Sequence, residues 1–395
     1  MTDHVLVINA GSSSLKYSLV DSASGEAAAT GLVEQIGEDR SHHVHHGPKG
    51  EFDDEQPIAN HEAALEAAVQ AFETQGPALA DVDIVAVGHR VVHGGDRFAA
   101  PALVDDELIA AVTELVPLAP LHNPANLEGI EVARRLLPDL PHVAVFDTAF
   151  HQTLPPYAYT YAVPYEWQAE YGIRRYGFHG TSHSFVSAEA ARLLGREPSE
   201  VNVIVLHLGN GCSAAAIRRG ESVDTSMGLT PLEGLVMGTR SGDVDPAIHG
   251  LLARVAGRSA EDTDHCLNSE SGLKGLTGAN DFREVSRRRA AGDERAQLAF
   301  DIYCQRIKKY IGAYYAVLGT VDAVVFTAGV GQHSAEVRAA ALDGLDALGI
   351  HLDADRNARS DRFVSTDDSR VAVLVIPTNE EWQIAREALT VVQQS

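Results

Sequence analysis

The stretch Val5–Leu19 reads VLVINAGSSSLKYSL. An apolar run of strand type stops at Gly11, passes through three serines, and resumes at Lys16 with strand-like alternation. The same plan returns at Val203–Ile217, VIVLHLGNGCSAAAI: apolar strand, small-residue turn, second strand. Each copy reads as a hairpin tip. Glycine allows close backbone approach, while turn amides and serine hydroxyls can donate to phosphate oxygens. The first phrase is not a Walker A loop, because GxxxxGK[ST] is absent and the chain resumes as strand. An ordinary polar turn remains the alternative for either phrase taken alone. Two copies about a domain apart favour phosphate binding and suggest two related domains, each presenting a hairpin tip to a shared cleft.

The totals bound the rest. A chain of 395 residues suggests roughly two or three domains, and 45% hydrophobic content can fill substantial cores. With 31 Lys and Arg against 55 Asp and Glu, the net charge is −24. That argues against a nucleic-acid or anionic-membrane surface, which needs a basic face. It does not exclude an anionic substrate held by a few local arginines. Cys212, Cys266 and Cys304 are widely spaced and form no zinc-type pattern, so a reduced, cytoplasmic setting is expected. The start shows no signal-peptide pattern, and no run of about 18 apolar residues suggests a membrane span.

Strands are expected at Val5–Ile8, Lys16–Asp21, Ile84–Val87, Val143–Phe146, Val203–Leu208, Ala214–Ile217, Val321–Thr327 and Val371–Ile376. Helices are expected at Ala63–Phe72, from the cap Asp105 through Leu115, at Ala125–Leu137 with Asn123 as cap and Pro124 first, and at Glu294–Leu318. This alternation indicates an α/β architecture. Gly25–Gly50 is polar, and its HHVHH (His42–His46) reads as a solvated loop rather than a zinc site.

Further phrases carry chemistry. GHRVVHGG sets Arg90 at a strand's end, where its planar fork suits a carboxylate or phosphate, or an ordinary salt bridge. FDTAFH sets Asp147 just past an apolar strand, as a catalyst or a helix cap. RRYGFHGTSH holds His179, catalytic or structural, with Thr181 and Ser182 as caps of the next helix. GTRSGDVDP carries Arg240; its Asp243 and Asp245 suit Mg²⁺ or turn chemistry equally. FTAGVG places Gly329 and Gly331 after a strand, where the backbone can approach a nucleotide.

In the order VINAGSSSLKY, GHRVVHGG, FDTAFH, RYGFHGTSH, HLGNGCS, GTRSGDVDP, FTAGVG and PTNEE, these phrases resemble the acetate kinase family along the whole chain. The resemblance implies two duplicated actin-like (ribonuclease H-like) domains around a central nucleotide cleft. Their expected extents are 1–149, with the helix 381–395 packing on it, and 150–380. It implies reversible Mg²⁺- or Mn²⁺-dependent transfer of the ATP γ-phosphoryl group to acetate, giving acetyl phosphate and ADP, by a homodimer.

The same resemblance implies residue roles. Asn9 and Glu380 would serve the metal, and Ser12, Ser14 and Lys16 would face the phosphates. Arg90 would pair with the substrate carboxylate, while Val92, Leu121, Phe178 and Pro231 wall its methyl group. His179 and Arg240, with Asn210, would stabilise the phosphoryl group in flight, and Asp147 matches the family's catalytic aspartate. The nucleotide would be lined by His207, Leu208, Gly209, Asn210 and Gly211, by Asp281, Phe282 and Arg283, and by Gly329, Val330, Gly331, Gln332 and His333. A carboxylate acceptor is already ionised near neutral pH. Asp147 is therefore expected to orient an arginine, a water or the metal rather than to act as a base.

The chain departs from the family pattern at Gln332-His333-Ser334, where E-N-S is usual, at Cys212, where Ala or Ser is usual, and at Trp382. Propionate kinase of the same family is the nearest alternative. A chaperone-like ATPase would leave Arg90 and Arg240 without work.

Overall fold

The opening stretch is a hairpin in the computed structural model, which describes residues 3–394. β1 (His4–Gly11) pairs antiparallel with β2 (Ser14–Asp21), with Gly11 opposite Ser14 and Asn9 opposite Lys16. Period-two alternation sorts its side chains onto two faces. Leu6, Ile8, Ala10, Leu15, Tyr17 and Leu19 enter one core, and Val5, Val7 and Val20 enter another. A strand pair apolar on both faces must be covered on both.

The chain divides into two compact units. One runs to Phe150 and resumes at Asn379; the other is His151–Thr378. The first unit's sheet comprises β1, β2, β3 (Ala27–Glu34), β4 (Ser41–Gly47), β5 (Gly50–Gln56), β6 (Ile84–Val91), β7 (Ala102–Leu103) and β8 (His142–Phe146). Their spatial order is β5-β4-β3-β2-β1-β6-β8-β7, with β1, β6 and β8 parallel. One face packs on α1 (His61–Gln75) and α2 (Asn123–Leu136). The C-terminal helix Glu380–Gln394 covers the other through Ile384, Ala385 and Ala388. Full burial of a side chain such as Ile384 contributes roughly 1.5–3 kcal/mol. Gly88 permits the close approach, because a Cβ there would lie 2.8 Å from an Ile384 methyl.

The second unit carries β9 (Asn202–Leu208), β10 (Cys212–Arg218), β11 (Glu221–Thr225), β12 (Ala323–Thr327) and β13 (Ala372–Val375). Their order is β11-β10-β9-β12-β13. β9 pairs antiparallel with β10 and parallel with β12, and β12 runs parallel to β13. This repeats β3-β2-β1-β6-β8 strand for strand, so the two hairpins hold equivalent places in a duplicated plan. α3 (Gly180–Leu193) and the long α5 (Glu294–Leu318), preceded by α4 (Phe282–Ala290), pack on this sheet or its neighbours. Among the described residues, no helix is long and apolar enough to cross a membrane.

Three local expectations are corrected. HHVHH is not a solvated loop; it lies in β4, with His43 and His45 buried and His42 and His46 turned outward. The Tyr17 hydroxyl lies 2.9 Å from both His43 Nε2 and His45 Nδ1, so two polar rings are satisfied inside the core. Asn123 does not cap α2. Its side chain accepts from the His93 N–H and donates to the His93 carbonyl. Thr181 and Ser182 likewise lie inside the first turn of α3, whose N-cap is His179.

Burial pushes the His43 pKa from 6.5 down to about 4 and lowers that of His45. Folding thus favours the neutral rings. Their contribution to stability is complete above pH 6.5 and is lost as the pH falls towards 4. Urea midpoints are expected to drop across that window. Tyr17→Phe, which strips both rings of their shared partner, is expected to cost about 1–3 kcal/mol at pH 7.5. A midpoint flat in pH together with a neutral Tyr17→Phe would contradict this packing.

Candidate active site

In the first unit, polar side chains gather where the parallel strands end. Asn9 lies near the carboxyl end of β1, Arg90 near that of β6, and Asp147 follows β8. Open α/β sheets bind ligands beyond these ends. Asp147 is 1% exposed, and its N–H donates to the Val91 carbonyl at 3.0 Å. Arg90 grips its carboxylate side-on: Nη2 donates to Oδ2 at 2.6 Å, and Nε donates to Oδ1 at 3.1 Å. Nη1 takes no part in this contact. Burial works against the Arg90 charge, but Asp147 and then Glu380 outweigh it and raise the guanidinium pKa above its ordinary value.

Glu380 and Glu381 open the C-terminal helix, where negative charge suits the helix dipole. Burial raises the Glu380 pKa, and Arg90 only partly offsets it. Burial also opposes the Glu381 charge, but Lys16, paired with it, more than offsets this and lowers its pKa. At the hairpin tip Ser12 is exposed and Ser14 half-buried. His61 donates to the Gly11 carbonyl at 2.6 Å. Asn126 of α2 accepts from the Val92 N–H and donates to the Ala10 carbonyl, tying the end of β6 to β1. Val92 is half-buried, whereas Leu121, before α2, is 64% exposed.

The second unit gathers a different set around its own tip, Gly209–Gly211, closed by Gly209 N–H donating to the Gly211 carbonyl. A Cβ on Gly211 would lie 3.5 Å from both Arg240 Nη1 and His179 Cε1, so both side chains face this glycine. Gly238 must stay bare because Asn210 Oδ1 fills its Cβ position. Arg240 is half-buried and has no carboxylate partner among the described residues; Nη1 reaches only the Pro231 carbonyl and Met237 Sδ. Burial lowers its pKa, with slight relief from Cys212. Such a cation is suited to an incoming anion. His179 adopts φ 57° at the N-cap of α3 and stacks on His207 at 4.2 Å. Phe178 is buried, and its carbonyl accepts from His151 Nε2.

A cavity of about 900 Å³ opens in the same unit, lined by Gly209, Asn210, Asp281, Phe282, Arg283 and Gly329, among others. Val330 and His333, on the short helix α6 (Ala328–His333), also line it. Leu208 and Gly331 are buried instead, and His207 bonds Ser182 through Nδ1. Asp281 caps α4 and pairs with Arg283 at 2.6 Å. Gln332 gives its carbonyl, with that of Gly331, to the fully buried Arg338 of α7 (Ala335–Leu342). Arg338 thereby fixes the end of α6.

Sequence reasoning missed Asn280, Ser286 and Glu336, which also line the cavity. Ser286 could have been found, since it falls one helical turn beyond Phe282 and Arg283. Turn chemistry accounts for Asp243 and Asp245. Asp243 accepts from the Gly234 N–H and the Tyr310 hydroxyl, and Asp245 accepts from the Ala247 N–H.

A duplicated α/β fold with a cavity beside one hairpin tip and arginines near both is that of an actin-like phosphotransferase acting on a carboxyl group. The chain belongs to the acetokinase family, whose model matches residues 4–386. The acetate kinase of Streptomyces coelicolor is 57% identical over 396 residues, covering 99% of this chain and 97% of that one. The crystal structure of Porphyromonas gingivalis acetate kinase superposes with a TM-score of 0.93 at 43% identity, covering 99% of this chain and all of that one. A propionate kinase from Francisella tularensis superposes at 0.94 and 42%, covering 98% and 100%.

Asp147→Ala leaves the Arg90 charge without its partner and is expected to lower stability by on the order of 3 kcal/mol. Replacing the pair together, Arg90→Met with Asp147→Leu, is expected to recover part of that loss. Urea denaturation checks both. A double variant less stable than Asp147→Ala would contradict the pairing argument.

Proposed function

We propose that this chain catalyses reversible transfer of the ATP γ-phosphoryl group to acetate, giving acetyl phosphate and ADP. The observation that carries this reading is Arg240: a half-buried guanidinium with only neutral partners among the described residues, set with His179 over the hairpin-tip glycine. Phosphoryl transfer is mostly positioning and neutralisation of charge on the transferring oxygens. In the proposed step an acetate oxygen attacks the γ-phosphorus in line, and the bond to the ADP oxygen breaks. Acetate is already ionised, so no general base is required. His179, Arg240 and Asn210 neutralise the phosphoryl oxygens. Arg90 holds the acetate carboxylate through its remaining N–H groups, and Asp147 fixes the orientation of Arg90. Val92 and Leu121 of the first unit offer apolar side chains for the methyl group.

The glycines and polar groups of the cavity receive the nucleotide, with Asp281, Phe282, Arg283, Gly329, Val330 and His333 along its walls. Ser12, Ser14 and Lys16 face its phosphates. Among the described residues, no group of three or more His, Cys, Asp or Glu is arranged to hold a metal. Two oxygen-bearing side chains would suffice for an ion such as Mg²⁺, which is commonly bound through one or two carboxylates together with substrate phosphates. Asn9 and Glu380 would hold it through their side-chain oxygens, and a bound ion would supply charge neutralisation on the phosphates.

An apolar pocket discriminates one methylene by only about 1–3 kcal/mol, so propionate should be a slower substrate rather than an excluded one. The exposed Tyr157, Tyr165, Trp167 and Tyr171 support pairing with a second copy of the chain. Sedimentation at a single-chain mass of 42.2 kDa would refute the dimer. Three free thiols support a cytoplasmic location, which cell fractionation checks.

Hydroxamate formation from ATP with acetate, propionate and butyrate tests the substrate. Acetate is expected to lead, whereas ATP hydrolysis indifferent to any carboxylic acid would overturn the proposal. Arg90→Ala is expected to raise the acetate KM most. Arg240→Ala is expected to lower kcat by about 100-fold or more. Unchanged acetate kinetics in Arg90→Ala would remove its assignment.

A further inference from the structure

We propose that His183 and Ser213 are positioning residues that set the tautomer of His179, placing its ring proton on Nε2. The geometry is a chain of hydrogen bonds inside the second unit. His183 Nε2 lies 2.7 Å from Ser213 Oγ, and the same oxygen lies 2.9 Å from His179 Nδ1. One hydroxyl therefore stands between two imidazole rings, and it has one proton to donate.

Counting donors decides its direction. His183 is completely buried, and its Nδ1 has no hydrogen-bond partner among the described residues. A buried N–H without an acceptor costs about 1–3 kcal/mol, and a bare lone pair is the more tolerable orphan. The His183 proton therefore sits on Nε2 and is donated to Ser213 Oγ. Burial, with His151 and His207 nearby, keeps this ring neutral by lowering its pKa well below the ordinary value. Ser213 must then turn its own proton towards His179 Nδ1. That nitrogen accepts, so the neutral ring of His179 carries its proton on Nε2.

The backbone holds the ring for this purpose. His179 keeps a left-handed φ of 57°, unusual for a residue with a side chain, and its ring stacks on His207. Nε2 lies 3.6 Å from the Cβ position of Gly211, on the side where Arg240 Nη1 also arrives. A proton on Nε2 is then a donor beside the cation. The opposite tautomer would present a lone pair there, which repels anionic oxygens. The inference deepens the proposed function, since it is the transferring phosphoryl group that such a donor would serve.

Long-range ¹H–¹⁵N correlation on protein labelled with [¹⁵N]histidine reads the tautomer directly, with the His179 signals assigned by their absence in His179→Gln. A pyrrole-type Nε2 and a pyridine-type Nδ1 at pH 7.5 are expected. A proton on Nδ1 would overturn the proposal whether or not the enzyme turns over acetate. Kinetics supply the second readout. Ser213→Ala is expected to lower kcat roughly 10–100-fold with little change in the ATP KM, as when a histidine loses the partner that orients it. His183→Gln, which keeps an N–H near the place of Nε2, is expected to retain most activity. Equal losses in the two variants would make the chain merely structural and count against it. If Ser213→Ala fails to fold, the wild-type spectrum decides alone. Inactivity towards every carboxylic acid, with the expected tautomer intact, would strike the proposed function and leave this inference standing.

Discussion

A carboxylate buried at the end of a parallel strand cannot stand unpaired, and Asp147 meets that requirement through Arg90. The pair joins two neighbouring strands, since Arg90 belongs to β6 and Asp147 follows β8. It holds the guanidinium by one edge and leaves Nη1 outside the contact. A free arginine samples many rotamers, and ordering it on binding costs affinity. Here the ordering is done by folding. The hairpin tip, the asparagine clamps of α2 and the two glutamates of the C-terminal helix are arranged about these same strand ends.

The second unit solves the opposite problem. It keeps Arg240 half-buried with no carboxylate partner among the described residues, and burial lowers its pKa where Asp147 raises that of Arg90. The two arginines thus differ in their surroundings: Arg90 is held by a counter-ion, whereas Arg240 has none among the described residues. His179 adds a donor whose direction follows from neutral neighbours. Arg338 is fully buried, satisfied by carbonyls, an amide and a hydroxyl, and it stabilises the helix that lines the cavity.

Much of this was legible in the sequence. The hairpin phrase and its echo are runs whose alternation and turn residues agree, and the structure returns them as β1–β2 and β9–β10. The ordered phrases led to the family that the comparisons show. What was not legible depends on partners remote in the chain. HHVHH reads as polar, yet His43 and His45 turn inward because Tyr17 supplies a hydroxyl for both. Asn123 before Pro124 has the form of a cap, but His93 claims its side chain. Arg90 could be read as a salt bridge or as an anion site. The structure gives the salt bridge, made through Nε and Nη2, with Nη1 outside it.

If Asp147 acts through Arg90, the effects of substituting the two must be coupled. A kinetic double-mutant cycle tests it most directly, with Asp147→Asn measured in the wild-type and Arg90→Met backgrounds. Asp147→Asn is expected to raise the acetate KM and lower kcat in the wild type, and to add little once Arg90 is gone. The same fold-change in both backgrounds would contradict it and give Asp147 a role independent of the arginine.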